Sequence, residues 1–237
     1  VLGIYYMTAI KPNAKGTGKR FSTPDEVRMA AELGNIEWQA LIKVPAPKDS
    51  FNSKALKVKG DEGFISGTQD FKEGELIETS AERLTFNEAM PEGIEYVNRQ
   101  MFDKSLKKMI EYVFHNKGSW MTIQMHDAIK DVGYKNATFY GATLCIDDIL
   151  VPEIKADMVE KANKEVNEII GQYSKGVVTA EERYNKVCQV WARTNDSLTK
   201  TMMENLEKDK DGFNTIWMMA KSGARGSRGQ ISQLAAM

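Results

Sequence analysis

Hydrophobic spacing divides this chain into an irregular first part and a strongly periodic second part. In the first part, residues 24–33 (Pro-Asp-Glu-Val-Arg-Met-Ala-Ala-Glu-Leu) predict a short helix. Thr23 is its N-cap and Gly34 lies just past its last turn. Residues 36–44 roughly alternate between Gly34 and Pro45, which predicts a half-buried strand. Residues 45–74 are rich in Lys, Gly, Ser and Asp and read as an exposed insertion, with a short strand at Leu56-Lys57-Val58. Another strand is expected to begin at Leu76-Ile77 and continue toward residues 84–86. Amphipathic helices are expected over residues 103–114 and 121–131, and a strand over 142–149. Taken together, this part is mixed and strand-leaning.

From Pro152 the pattern changes. Val159, Ala162, Val166, Ile169 and Tyr173 recur at alternating steps of three and four, the spacing of a heptad-like helical seam. Pro152 suits a first helical turn, Glu153 and Asp157 favour the positive end of the helix dipole, and the helix should stop near Gly176. A second helix should start at Thr179, because Thr-Ala-Glu-Glu ending in Glu182 fits a capping box. Its stripe runs Tyr184, Val187, Trp191, Leu198, Met202. A short link between two long helices makes them antiparallel. The expected fold class is therefore α+β, a mixed strand-helix domain over residues 1–150 followed by a helical hairpin in residues 151–237. The hairpin could serve as a structural spacer, or its tip, residues 174–182, could be a docking surface.

Composition narrows the function classes. The 237 residues include 42% hydrophobic and 27% charged side chains, ordinary for a globular protein with a substantial core. With 32 basic and 33 acidic residues the net charge is -1, so phosphate contacts must come from a local cluster rather than from the whole surface. Cys145 and Cys188 do not suggest a disulfide framework, and His115 and His126 do not lie at zinc-ligand spacing from them. A reduced, cytoplasmic setting is expected. No apolar run approaches the ~20 residues of a membrane span, and the opening run lacks the basic flank of a signal peptide. Both ends read as cut from a longer protein, since each falls inside an apolar element.

Several local patterns imitate ligand sites. The run Glu207-x-Asp209-x-Asp211-Gly212 begins like a calcium loop, but Met218 stands where the bidentate carboxylate is needed, so it reads as a charged turn. Asp147 and Asp148, if on a strand, point to opposite faces and cannot readily grip one metal. Gly16-Thr-Gly18-Lys19 lacks the spacing of a phosphate loop and reads as an exposed turn. The segment Ser222-Gly-Ala-Arg-Gly-Ser-Arg-Gly229 is different. Its glycines and serines let backbone amides approach an anion, Lys221, Arg225 and Arg228 add charge, and a helix beginning near Ser227 would add its dipole. It reads either as a triphosphate or nucleic-acid phosphate contact or as a flexible linker.

Five motifs carry a resemblance: Val1-Leu-Gly-Ile-Tyr-Tyr-Met-Thr8, Glu182-Arg-Tyr-Asn-Lys-Val187, Phe213-Asn-Thr-Ile-Trp-Met-Met219, Ser222-Gly-Ala-Arg-Gly-Ser227 and Gln230-Ile-Ser-Gln-Leu-Ala235. In this order they resemble the beta-prime subunit family of bacterial RNA polymerases, with weaker matches at Gly133-Tyr134 and residues 146–152. Residues 45–86 support it least. The resemblance implies that residues 1–150 are a pore domain beside the active centre. Residues 151–237 would be a funnel domain, whose hairpin forms the rim of the secondary channel through which nucleotides enter.

Carried over by position, Glu182, Asn185 and Lys186 are the expected contacts for transcript-cleavage factors, other secondary-channel regulators or an alarmone. Arg225 is the expected contact to the phosphates of the incoming nucleoside triphosphate. No catalytic and no metal-ligating residue is expected here. Magnesium, held by an aspartate triad upstream of Val1, and zinc would belong to the full subunit, leaving this piece inactive alone. The implied partners are the beta, alpha and omega subunits, the sigma factor, DNA and RNA.

Three positions depart from the family: Ala9-Ile10 replaces a polar pair, Ala81-Glu82-Arg83 lacks the glycine usual in that strand, and Asp131 stands where an aromatic is often found near the alarmone pocket. The alternative from another class is a stand-alone coiled-coil adaptor whose Gly-Arg segment binds phosphate or nucleic acid.

Overall fold

The computed structural model describes residues 1–46, 74–92, 94 and 96–235. The strand expected at Leu56-Lys57-Val58 lies outside them. Two compact units are present, Val1–Ala142 with Lys221–Ala224, and Thr143–Ala220 with Arg225–Met237. The fold is α+β, with one small sheet among the described residues.

The first unit is more helical than the sequence suggests. Its opening run is helix α1, Leu2–Thr8, and α2, Pro24–Glu32, follows with Thr23 Oγ1 accepting from the Glu26 amide at 3.2 Å. Only Ile42–Pro45 of the expected first strand pairs, as β1, with β2, Leu76–Thr79, antiparallel and in the register Val44 opposite Ile77. The second strand does not continue. Ser80 turns its hydroxyl back to accept from the Arg83 amide at 3.3 Å and starts helix α3, Ala81–Glu88. Phe86 and Leu84 are therefore buried from a helix, not from a strand.

The two helices expected at residues 103–114 and 121–131 are both present and meet at a kink within the span Asp103–Tyr140, α4, the second running further than expected. Gly118, at φ 80° and ψ 176°, breaks it, a conformation open to glycine because it lacks a Cβ. Ile4 and Met7 of α1 pack among Met109, Val113, Met125 and Ile129 of α4. Gly3 makes that approach close: a Cβ there would collide with the Gly133 carbonyl oxygen and lie 2.8 Å from the Ala137 amide. Thr8 closes α1, donating to the Ile4 carbonyl at 2.7 Å and accepting from the Met101 amide at 2.9 Å. The buried Arg83 side chain caps the Thr8 carbonyl at 2.9 Å, so the end of α1 leaves no orphan acceptor there. Val27, Ile36, Ile42 and Val44 form a second cluster beneath α2.

The second unit opens with a correction. Residues 142–149 do not form a strand; Ile146–Asp148 is a 3-10 turn, with Leu144 and Ile146 exposed. The Asp148 carboxylate accepts from the Cys145 amide at 2.9 Å, which closes the turn and removes that amide from any ladder. The hairpin follows as α5, Lys155–Ser174, and α6, Ala180–Lys208. Gly176, at φ 73°, ends α5, where the Val177 amide bonds the Gln172 carbonyl at 3.0 Å. Thr179 and Glu182 form the expected capping box.

Ala162, Ile169 and Val190 bury the seam, joined by Val166 and Val187. Tyr184 does not belong to it. That side chain is 67% exposed, because a 3.6-residue period carries the stripe through Val187, Val190, Thr194 and Leu198 instead. Helix α7, Thr215–Ser222, and α8, Arg228–Ala235, complete the element order. Leu198, Met202, Leu206, Trp217 and Ile231 form the core at the hairpin base.

Candidate functional site

The hairpin tip presents its expected contact residues on the first turns of α6. Glu182, Asn185 and Lys186 are all exposed. Glu182 is nevertheless engaged: its carboxylate accepts from the Thr179 amide at 2.9 Å while its own amide donates to Thr179 Oγ1 at 3.2 Å. The Thr179 amide holds the Glu182 carboxyl below the usual carboxylate range, with Lys186 one turn on adding to the effect. A charge reversal at Glu182 would thus also open the helix start. Arg183 lies over the Tyr173 ring, 4.4 Å from its centroid, tying the first turn of α6 to the last turn of α5. Asn185 and Lys186 make no hydrogen bond or ion pair among the described residues and are open to a partner.

Arg225 is exposed and lies between two left-handed glycines, Gly223 at φ 83° and Gly226 at φ 84°. Its amide bonds the Met219 carbonyl at 3.3 Å, and its guanidinium makes no ion pair among the described residues. Just beyond it, the Ser227 amide donates to Gln230 Oε1 at 2.8 Å and the Gln230 amide to Ser227 Oγ at 3.3 Å. This reciprocal cap starts α8 where the sequence places it. The segment around Arg225 is a fixed turn with an available cation, the property a phosphate contact requires.

One polar cluster escaped the sequence reading. Asp148 is 5% exposed and binds Lys210 Nζ at 2.5 Å. Lys210 and then the Cys145 amide hold the Asp148 carboxyl below the usual range, and Asp148 raises Lys210 in return. Asn214, fully buried, donates to the Asp148 carbonyl at 3.0 Å and to Asp209 Oδ2 at 2.8 Å. Its Oδ1 accepts from the Ile216 and Trp217 amides at 2.9 and 3.1 Å, capping α7. The acidic run at residues 207–212 is therefore a turn bound into this network. Lys210 and Asp211 there adopt left-handed backbone, at φ 50° and 57°. Among the described residues, no three His, Cys, Asp or Glu side chains converge to hold a metal ion. No described helix is long and apolar enough to cross a membrane.

A second overlooked feature lies in the first unit, where Glu82, Trp38, Lys135 and Phe139 line one open cleft. Sequence carries only a faint signal for it, the run Ala81-Glu82-Arg83 lacking the glycine usual in the family it resembles.

Comparison with known proteins places the chain. The family described as RNA polymerase Rpb1, domain 3, matches residues 1–149, and RNA polymerase Rpb1, domain 4, matches residues 178–237. The chain belongs to the RNA polymerase Rpb1 family. It is 50% identical over its whole length to the DNA-directed RNA polymerase subunit beta' of Treponema pallidum. It is 44% identical over its whole length to the subunits of the same name in Treponema denticola and Borreliella burgdorferi. It spans 15% of the length of each of these relatives. This agreement leaves the stand-alone adaptor reading without support.

Proposed function

We propose that the chain works as part of a DNA-directed RNA polymerase, the enzyme that builds RNA on a template from nucleoside triphosphates. In this reading residues 1–150 are the pore domain, and residues 151–237 are the funnel whose hairpin rims the secondary channel. The beta, alpha and omega subunits and the sigma factor complete the cytoplasmic assembly, which holds DNA and RNA. The observation that carries the reading is the combination, within one family match, of exposed Asn185 and Lys186 at the tip of an antiparallel hairpin and an exposed arginine on a glycine turn, without an ion pair among the described residues.

Each residue then has a definite task. Arg225 offers a planar fork of N–H donors and a permanent charge, which offsets and orients a triphosphate. Asn185 and Lys186 provide a hydrogen-bonding pair and a charge for a docking regulator, while Glu182 sets the start of the helix that displays them. Two-metal nucleotidyl transfer needs clustered carboxylates for magnesium. In this reading magnesium and zinc are held by other parts of the subunit.

In the assembled polymerase, Arg225→Ala is expected to raise the apparent KM for nucleotides about tenfold or more, the loss of a hydrogen bond to a charged group, with assembly intact. An unchanged KM removes Arg225 from the nucleotide path. Lys186→Glu is expected to weaken the response to a transcript-cleavage factor while leaving factor-free elongation as it was. An unaltered response takes the tip out of the docking surface. RNA extension by the purified 237-residue chain alone would overturn the proposal as a whole.

A further inference from the structure

The cleft in the first unit, about 890 Å³ in volume, is lined by the carboxyl of Glu82. The Glu82 amide donates to the Trp38 carbonyl at 3.1 Å. Among the described residues, however, no hydrogen bond or ion pair reaches the Glu82 carboxyl. Burial pushes that carboxyl up to about 7, opposed in part by the Lys135 charge. Lys135 is not bonded to it; its ammonium stands over the Phe139 ring, 5.9 Å from the centroid.

Four other charges in the cleft form two pairs. Lys11 pairs with Glu37 at 2.7 Å, and Arg28 with Glu88 at 2.9 Å. Glu32 lines the cleft without an ion pair among the described residues. Two carboxylates, Glu32 and Glu82, thus face the single unpaired ammonium of Lys135, and one further positive charge would balance the cleft. Burial raises the Tyr6 phenol of α1, and the Glu82 charge adds to the effect.

The shape of that charge can be argued too. A desolvated carboxylate without donors is costly, and an incoming group with two parallel N–H bonds relieves it best. Trp38 and Phe139, 36% and 71% exposed, add flat apolar surface. A guanidinium is planar, carries one charge, forks onto a carboxylate and stacks on aromatic faces, whereas an ammonium is a strongly hydrated point charge. Every arginine of the chain lies among the described residues, and none bonds Glu82. The arginine must then come from outside these 237 residues. We propose that this cleft receives an arginine side chain from a polypeptide segment outside these 237 residues, its guanidinium on Glu82 and its stem along Trp38 and Phe139. The inference stands apart from the proposed function, since it concerns neither the hairpin tip nor Arg225.

The test titrates the 237-residue chain with N-acetyl-arginine amide and follows the indole N–H resonance of Trp38, assigned with Trp38→Phe. A saturable shift is expected. N-acetyl-lysine amide and the neutral N-acetyl-citrulline amide are expected to bind about tenfold more weakly or worse. Arginine-amide affinity should rise between pH 6 and 8, as Glu82 ionises, and level off above. Glu82→Gln should lose about tenfold in affinity and flatten that rise, any residual slope belonging to the other groups facing the cleft. Lys135→Ala should bind more tightly than the wild type. Absence of a saturable shift, equal binding of citrulline or lysine amide, or unchanged affinity in Glu82→Gln each overturns the assignment. Should Glu82→Gln fail to fold, Lys135→Ala decides: affinity equal to or below that of the wild type refutes it.

Discussion

Replacing Gly3 with alanine is expected to cost the first unit about 3 kcal/mol or more, the upper range for overpacking a close contact. The added Cβ would strike the Gly133 carbonyl oxygen and stand 2.8 Å from the Ala137 amide, both backbone atoms of α4. No rotamer can relieve a clash with backbone, so α1 must move away from α4. That motion pulls Ile4 and Met7 out of the core and strains the Thr8 bonds to Met101 and Arg83. The reciprocal change distinguishes this account from general sensitivity at small residues. A Cβ on Gly133 meets only the Ile4 side chain, 3.4 Å away. Gly133→Ala should therefore be tolerated, since alanine is favoured over glycine by about 1 kcal/mol inside a helix and offsets the small adjustment of Ile4. Amide exchange in α1 and α4 measures both. Equal protection loss in the two variants would show that the close approach is not where the energy lies.

Elements held by local signals were legible in the sequence. Thr23, the Thr179–Glu182 box and Ser227 each start a helix with bonds spanning a few residues, and the hairpin follows from a seam repeated along its length. The misreadings share the opposite cause. Ser80 caps α3 although the residue three further on is Arg83, not the acid that completes a recognisable box, so the sequence there reads as continuing strand. Residues 142–149 carry β-type apolar residues, but Asp148 is claimed by Lys210 and Asn214 from far along the chain, and the segment turns to deliver it. Of the candidate site, Asn185, Lys186 and Arg225 rest on motif order, and the structure adds that all three are exposed. Glu82 was not, because its distinction lies in what fails to reach it within the fold.

Asn214→Ala is expected to cost the second unit about 3–5 kcal/mol, since one buried side chain serves four hydrogen-bond partners whose loss leaves buried groups unsatisfied. About 1–2 kcal/mol of this belongs to the α7 cap on the Ile216 and Trp217 amides. The remainder comes from the Asp148 carbonyl and the Asp209 carboxylate, which lose their shared donor. Trp217, 8% exposed in the core beside this network, reports the loss through its fluorescence in urea. Asn214→Asp separates the two halves. It keeps an acceptor for the cap but turns a second oxygen toward two acceptors, so it should remain destabilised while its own carboxyl is ionised. Acid would protonate that carboxyl and restore part of the stability.

In the wild type the trend runs the other way. Asp148 titrates below its ordinary value when folded, so its contribution is present above the ordinary carboxylate range and is lost as pH falls through the depressed value. Lys210 is raised, so its share is present below the ordinary lysine range and fades as pH rises through the raised value. On mild acidification Asn214→Asp should thus gain stability before the Asp148 pair begins to fail, while the wild type gains nothing from this network. Parallel pH profiles for the two proteins would mean that Asn214 acts by filling space rather than by donating to Asp148 and Asp209.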